Sequence, residues 1–130
     1  MTVLTAGYSL DRTPKDIRAL ASKAGFPEVT LLDVRRSQTH SRNPHWRGGG
    51  VGAVWSPSLG NLGKTARWIR PRGASLALRV NAELILAGEV LLLVCCERDW
   101  RRCHRRYVAQ VLRELTGAKI IHLGDDEHDA

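Results

Sequence analysis

Short apolar runs alternate along this chain with longer segments in which apolar residues recur every three or four positions. The run at 2–6 is typical of a strand and stops at Gly7. Thr13 followed by a proline predicts a helix start, and Gly25 predicts its end. The next apolar run, 28–34, predicts a second strand. One helix between two strands predicts a right-handed βαβ unit.

The same alternation continues to the end of the chain. Pro57 marks the run at 53–59 as an edge strand or a short one. The helix predicted over 75–87 has an apolar face defined by the spacing of Leu76, Val80, Glu83 and Leu84. A fully apolar run at 91–94 is typical of a strand that is covered on both faces. A basic helix opened by Cys103, His104 and Arg105 and a short strand at 118–123 complete the predicted elements.

Strands that alternate with helices predict a small three-layer, Rossmann-like α/β domain with a mostly parallel sheet of four or five strands. We expect a single domain over 1–124 and an acidic, flexible tail over 125–130. In such sheets ligands bind at the carboxyl ends of the strands. Polar residues follow three of the predicted strands at that edge, so we expect them to share one site.

The candidate residues take their roles from their chemistry and from their place after these strands. A thiol at a strand-to-helix junction is positioned to have its pKa lowered, and arginines bind phosphate or carboxylate groups. The predicted catalytic residues are Cys95, Glu97, His104 and Asp33. The predicted substrate-binding residues are Gly7, Tyr8, Ser9, Arg35, Arg42 and Arg105. We expect Arg105 to pair with a carboxylate of Glu97 or Asp33, or to grip the ligand, unless it only locks the helix to the sheet.

The segment 35–52 has no periodicity, is basic and contains three consecutive glycines. These features predict a long exposed loop, in which Arg42 and Arg47 would serve partner capture more than stability. His40 and His45 are expected at the surface. Trp46, and Trp100 farther along the chain, would be available to stack on nucleic-acid bases.

A formal net charge of +7, mostly from arginine, favours an anionic partner, which could be a small molecule, a nucleotide or nucleic acid. A genome rich in G and C explains the arginines equally well. No apolar run approaches the roughly 18 residues of a membrane span, and the N-terminus lacks a signal-peptide layout. Three cysteines do not form a disulfide framework, so a cytoplasmic protein with free thiols is expected and a membrane partner is not. The sequence indicates no particular cofactor or oligomeric state.

Other chemistries remain open around the cysteines. Cys96 and Arg102 have the spacing of a cysteine phosphatase, as do Cys95 and Arg101, although the residues between them are too bulky for its phosphate-binding loop. A strand ending in Asp33 and Arg35 and another ending in a cysteine are similar to the layout of rhodanese sulfurtransferases. Cys95, Cys103 and His104, with His122, could ligate a metal, but their spacing fits no common zinc pattern and we assign no metal ligands. Burial as a structural cysteine is an equal alternative for Cys95.

Five ordered motifs resemble the family known as domain of unknown function 488, over nearly the whole chain. They are Thr5-Ala6-Gly7-Tyr8-Ser9, Asp33-Val34-Arg35, Ser41-Arg42-Asn43-Pro44, Leu59-Gly60, and Cys95-Cys96-Glu97 with Cys103-His104-Arg105. The resemblance implies no reaction, because none is assigned to that family. The chain departs from the family's pattern at Asn61 and in its short segment between Gly63 and Ser75.

The sequence thus predicts an enzyme that acts on a phosphorylated, nucleotide-like or nucleic-acid substrate at a Cys/Glu/Arg site. The alternative is a non-catalytic, basic nucleic-acid-binding module. Sulfur transfer and phosphatase chemistry are further alternatives.

Overall fold

The computed structural model describes residues 1–35, 37, 41–48, 52–60, 74–124 and 128–129. Its strands are β1 (Thr2–Gly7), β2 (Thr30–Asp33), β3 (Ala53–Trp55), β4 (Leu91–Cys95), β5 (Lys119–His122) and β6 (His128–Asp129). Its helices are α1 (Pro14–Lys23), α2 (Ala74–Leu86) and α3 (Arg105–Thr116). Single 3₁₀ turns occur at Pro44–Trp46, Pro57–Leu59 and Trp100–Arg102. His40, Asn61, most of the segment between Gly63 and Ser75, and most of the predicted tail over 125–130 lie outside the described residues.

The strands form one sheet in the order β3-β2-β4-β1-β5-β6. The first five are parallel, and β6 is a two-residue antiparallel strand beside β5. The predicted three-layer α/β fold with a mostly parallel sheet is therefore confirmed, and β3 lies at the edge as Pro57 indicates.

Helix α1 begins where the sequence predicts, because Thr13 and Asp16 form a reciprocal capping box. The Thr13 hydroxyl accepts from the Asp16 amide at 3.1 Å, and the Asp16 carboxylate accepts from the Thr13 amide at 2.9 Å. Ile17 and Ala21 are buried and pack α1 against one face of the sheet. The chain that follows β1 is thereby carried to that face.

Helices α2 and α3 cover the opposite face of the sheet. The buried residues of α2 include Leu78, Ala82 and Ile85, whereas Leu76 and Val80 are 70% and 48% exposed. The predicted apolar face of this helix is therefore wrong. The helix has apolar residues on several sides, so spacing alone does not distinguish its buried face from its exposed one.

The described part of the segment 35–52 fits the prediction of an exposed loop only in part. Arg42, His45 and Arg47 are exposed as expected, whereas Asn43 and Trp46 are fully buried. The Trp46 ring stacks on Tyr8 with centroids 4.7 Å apart, and its indole nitrogen donates to the Arg12 carbonyl at 2.8 Å. Asn43 donates to the same carbonyl at 2.7 Å. Trp46 is thus a core residue and is not available to stack on bases.

The neighbouring strands β1 and β4 send the chain to opposite faces of the sheet, because β1 leads into α1 and β4 leads into α3. Such a switch in connection opens a crevice at the carboxyl ends of the two strands. Tyr8 and Ser9 extend the pairing slightly, since their amides donate to the carbonyls of Cys95 and Cys96. The crevice begins just beyond these bonds.

Within the described residues, none of the helices combines the length and apolar character that crossing a membrane requires.

Candidate functional site

A cleft of about 650 Å³ lies at this crevice, which is within the range of small-molecule sites. Residues that follow β1, β2 and β4 line it together with part of the segment 35–52. They are Tyr8, Ser9, Leu10, Arg35, Ser37, Ser41, Arg42, Cys95, Cys96, Glu97, Arg98 and His104. Seven of the predicted site residues therefore line one cleft, whereas Gly7, Asp33 and Arg105 lie behind its walls.

Asp33 holds Arg35 in place from beneath the cleft. The carboxylate is 1% exposed and accepts from the guanidinium at 2.6 Å, 2.9 Å and 3.0 Å and from the Arg35 amide at 3.1 Å. The guanidinium also donates to the Trp46 carbonyl at 2.7 Å and lies over the Tyr8 ring. Burial acts to lower the pKa of Arg35, but the bonds and charge of Asp33 outweigh it and the pKa is raised. Asp33 therefore orients a permanently charged arginine and does not face the cleft itself.

Arg105 is fully buried and supports the loop after β4. Its guanidinium donates to the main-chain carbonyl of Glu97 and, at 3.0 Å, to that of Arg98. The predicted pairing with a carboxylate is therefore wrong. Arg105 positions the backbone that carries Glu97 and Arg98, which agrees with the alternative that it locks helix and sheet together.

Gly7 allows the same loop to approach the end of β1. A β-carbon at this position would overlap with the Glu97 carbonyl oxygen, and it would lie 2.6 Å from the Arg98 α-carbon. A side chain is thus excluded by backbone atoms that cannot easily move. Gly7 shapes the cleft wall through this contact.

His104 lies at the floor of the cleft with its two ring nitrogens in different environments. Nε2 is 2.7 Å from the Val34 carbonyl, which can only accept, so Nε2 carries the proton. Nδ1 is 3.9 Å from the Sγ of Cys95 and 3.9 Å from the Sγ of Cys103. Cys103 and His104 precede α3 rather than opening it, since the helix begins at Arg105. This position turns both side chains back toward the end of β4.

The three thiols are free, and their pKa values differ. Hydrogen bonds to Cys103 and Cys96, together with burial, raise the pKa of Cys95 well above its ordinary value. The hydrogen bond from Cys95 lowers the pKa of Cys103 well below its ordinary value, although burial opposes this; His104 and Arg105 act in the same direction as Cys95. At His104 burial acts to lower the pKa, but Cys103 and the Val34 carbonyl outweigh it and the pKa is raised. The pair Cys103 and His104 therefore favours a thiolate beside a protonated ring.

Cys96 and Glu97 lie at the exposed side of the cleft. The hydrogen bond from Cys95 lowers the pKa of Cys96 to about 7, against the opposing effect of burial. One Glu97 carboxylate oxygen accepts from the Asp99 amide at 3.2 Å, which stabilises the turn. Glu97 is therefore at the exposed rim of the cleft.

Ser9 adopts a left-handed backbone conformation with φ of 53°, which is uncommon for a residue other than glycine. It directly follows Tyr8, whose ring is 1% exposed and whose pKa is raised to about 12, chiefly by burial. Strained backbone is found most often at functional sites. Ser9 thus lines the cleft in a conformation that is unfavourable for a residue with a side chain.

The cysteine-phosphatase spacing does not produce a phosphate cradle in this structure. Arg101 and Arg102 are exposed at the 3₁₀ turn, pair with Asp99, and are not among the lining residues of the cleft. Trp100 stacks on His122 with centroids 4.0 Å apart. His122 in turn contacts the Thr5 hydroxyl at 2.5 Å, so it lies apart from the two buried thiols.

Sequence reasoning missed Ser37 and Ser41, which bring hydroxyl groups to the cleft from the segment 35–52. It also left Cys96 out of the site, although the spacing of Cys96 to Arg102 fits a phosphatase nucleophile. Ser41 belongs to the Ser-Arg-Asn-Pro motif, and that motif was the available signal. Ser37 belongs to none of the motifs that the sequence offered, so it had no such signal.

No protein-family model, curated protein or solved structure matches this chain.

Proposed function

We propose that this protein is an enzyme whose cleft binds a small phosphorylated or nucleotide-like substrate. The observation that carries the proposal is that Cys95 and His104 line the same cleft as Arg35 and Arg42. Groups that bind anions and groups that react are thus available to one ligand. Membership of the family with domain of unknown function 488, and a cytoplasmic location suggested by the free thiols, belong to the same proposal.

Each group has a role that follows from its surroundings. Arg35 is oriented by Asp33 and brings a fixed positive charge to the wall of the cleft. Arg42 is exposed at the cleft and supplies a second charge. Ser9 and Ser41 add polar, uncharged residues to the lining of the cleft. A phosphate group bound here would hold the rest of the substrate over Cys95 and His104.

The nucleic-acid-binding module is less well supported by the same geometry. Trp46 is buried beneath Tyr8, and Trp100 stacks on a histidine of the chain itself. Neither ring is presented for stacking on successive bases, which is how sequence-tolerant binders hold single strands. The net charge of +7 remains its main support.

Binding is tested by calorimetry with inorganic phosphate, a set of mononucleotides and an unrelated oligonucleotide. Replacement of Arg42 by Ala is expected to weaken phosphate or nucleotide binding by about 10-fold or more, because hydrogen bonds to charged groups contribute about 1.5–3 kcal/mol. Arg102→Ala is the matched control, since Arg102 is 79% exposed and outside the cleft. A small ligand should also show a shallow salt dependence. Oligonucleotide binding that falls about 10³-fold or more between about 50 and 200 mM salt, equally in both variants, would favour the module.

Catalysis is tested separately by mass spectrometry of the same ligands after incubation with the protein. Cys95→Ser and His104→Gln should abolish conversion of a ligand that they still bind, because both side chains lie at the floor and the arginines remain. If a bound ligand is never converted, or conversion survives both changes, the site is not the proposed enzyme centre.

A further inference from the structure

We propose that Cys95, Cys103 and His104 form a site for a divalent cation of the zinc type, with a fourth coordination position open to the cleft. The three side chains come from the end of β4 and from the two residues before α3, and all are buried. This departs from the sequence prediction, which assigned no metal ligands. Metal binding does not depend on the proposed function; only its use in catalysis does.

The geometry is close to that of a tetrahedral centre. The Sγ of Cys95, the Sγ of Cys103 and a ring nitrogen of His104 all lie within 4.8 Å of one another. Both sulfurs are 3.9 Å from Nδ1. Ordinary zinc–sulfur and zinc–nitrogen bond lengths at a tetrahedral angle place sulfur and nitrogen about 3.6 Å apart and two sulfurs about 3.8 Å apart. The two sulfur–nitrogen distances would each shorten by a few tenths of an ångström, and the two sulfurs, which lie within 4.8 Å of one another, would move together by at most about 1 Å.

The orientation of His104 provides an independent indication. Histidines that bind metals usually donate their other ring N–H to a carboxylate or a backbone carbonyl, which fixes the tautomer and the direction of the ring. His104 makes this contact, from Nε2 to the Val34 carbonyl at 2.7 Å. Metal binding requires the neutral ring, and in that form the lone pair of Nδ1 is directed at the two sulfurs. Packing of a buried histidine does not by itself require that direction.

The donor set identifies the class of cation. Two thiolates and one imidazole favour zinc and exclude calcium and magnesium, which prefer oxygen ligands. Two thiolates would also neutralise the charge of the ion within a buried site. Three protein ligands with one free position are typical of catalytic zinc rather than structural zinc. Cys95 and His104 line the cleft, so the free position would face the proposed substrate.

The first experiment measures metal in the full chain, purified without chelator and without any substrate. We expect about one zinc ion per chain, and cobalt substitution should give the visible bands of a tetrahedral ion and a thiolate charge-transfer band. The zinc affinity should fall by about 10-fold or more in each of the variants Cys95→Ser, Cys103→Ser and His104→Gln. Cys96→Ser is the matched control and should keep the metal, because Cys96 is exposed. If Cys96→Ser also loses the metal, Cys96 is the fourth ligand and the proposal of a coordination position open to the cleft is wrong.

A second measurement needs no variant, so it remains decisive if the substituted chains do not fold. Added zinc should protect Cys95 and Cys103 from alkylation, relative to chelator-treated protein, and should leave Cys96 reactive. A metal-free parent at micromolar zinc, or alkylation of Cys95 and Cys103 that zinc does not change, would overturn the site. Because no substrate is present, failure here leaves the proposed anion-binding cleft untouched. Failure of phosphate binding would likewise leave the metal site standing.

Discussion

The guanidinium of Arg105 donates to the main-chain carbonyl of Glu97, not to its side chain. A second donor reaches the Arg98 carbonyl, so one buried cation fixes two consecutive peptide groups of the cleft wall. Arg105 is not among the residues that line the cleft, so it holds the wall from behind. Arg105 is thus a positioning residue for Glu97 and Arg98.

Replacement of Arg105 by Lys should therefore destabilise the protein. Lysine keeps the charge but cannot donate to two carbonyls with a planar fork, and its ammonium would be buried at a site that is 0% exposed. We expect the free energy of unfolding in urea to fall by about 1.5–3 kcal/mol, the range for a lost hydrogen bond to a charged group. Arg102→Lys is the control and should change it by less than about 0.5 kcal/mol, because Arg102 is 79% exposed. Unchanged stability with weaker ligand binding would restore the predicted role of Arg105 in gripping the ligand.

Gly7→Ala tests the contact on the other side of the same wall. Its β-carbon would overlap with the Glu97 carbonyl, which Arg105 also holds, so the loop must move away from β1. Overpacking of this kind costs about 1–3 kcal/mol, and movement of the loop should also weaken phosphate binding.

Gly88→Ala separates this effect from simple backbone strain. Gly88 has a φ of 101°, but a β-carbon added to it would have no neighbouring atom within 4 Å among the described residues. Its substitution should lower thermal stability and leave phosphate affinity unchanged. Equal affinity in the two variants would show that the Gly7 contact does not shape the cleft.

The fold could be predicted from the sequence because strand and helix periods are local properties. The start of α1 at Pro14 and the edge position of β3 follow from nearby residues alone. The buried face of α2 could not be read in this way, because Leu76 and Leu78 are equally apolar and only packing on the sheet selects Leu78.

The site shows the same division between local and long-range information. The location of the site at the carboxyl edge of the sheet was predictable, because Arg35 follows strand β2 and Cys95 ends strand β4. The contact between Nε2 of His104 and the Val34 carbonyl spans 70 residues and has no local signal. The glycines and arginines around Trp46 indicate a loop and so predict a surface position for its ring. Its burial against Tyr8 depends on a partner that lies far away in the sequence.

Tyr8 should make the stability of the protein sensitive to high pH. Burial raises its pKa to about 12 from an ordinary value of 10.0, so the unfolded chain loses this proton first. The stabilisation is fully present below about pH 10 and is lost as the pH rises toward 12. By proton linkage the loss should reach about 2–3 kcal/mol. Urea unfolding gives the free energy of unfolding of the parent and of Tyr8→Phe at each pH in this range. The prediction is contradicted if the difference between the two proteins does not change with pH.

Ser9→Gly should separate stability from ligand binding at the cleft. The left-handed conformation of Ser9, with φ of 53°, costs an ordinary residue about 1–2 kcal/mol, and glycine adopts it without that cost. Glycine also gains freedom in the unfolded chain, worth about 0.4–1 kcal/mol, so the net gain in stability should be about 0.5–1 kcal/mol. Ser22→Gly, in an exposed part of α1, is the matched control and should instead lower stability by about 0.5 kcal/mol.

Ser9 lines the cleft, so Ser9→Gly should also bind phosphate more weakly than the parent protein does. A variant that is more stable and binds phosphate equally well would show that the strain at Ser9 does not serve the ligand.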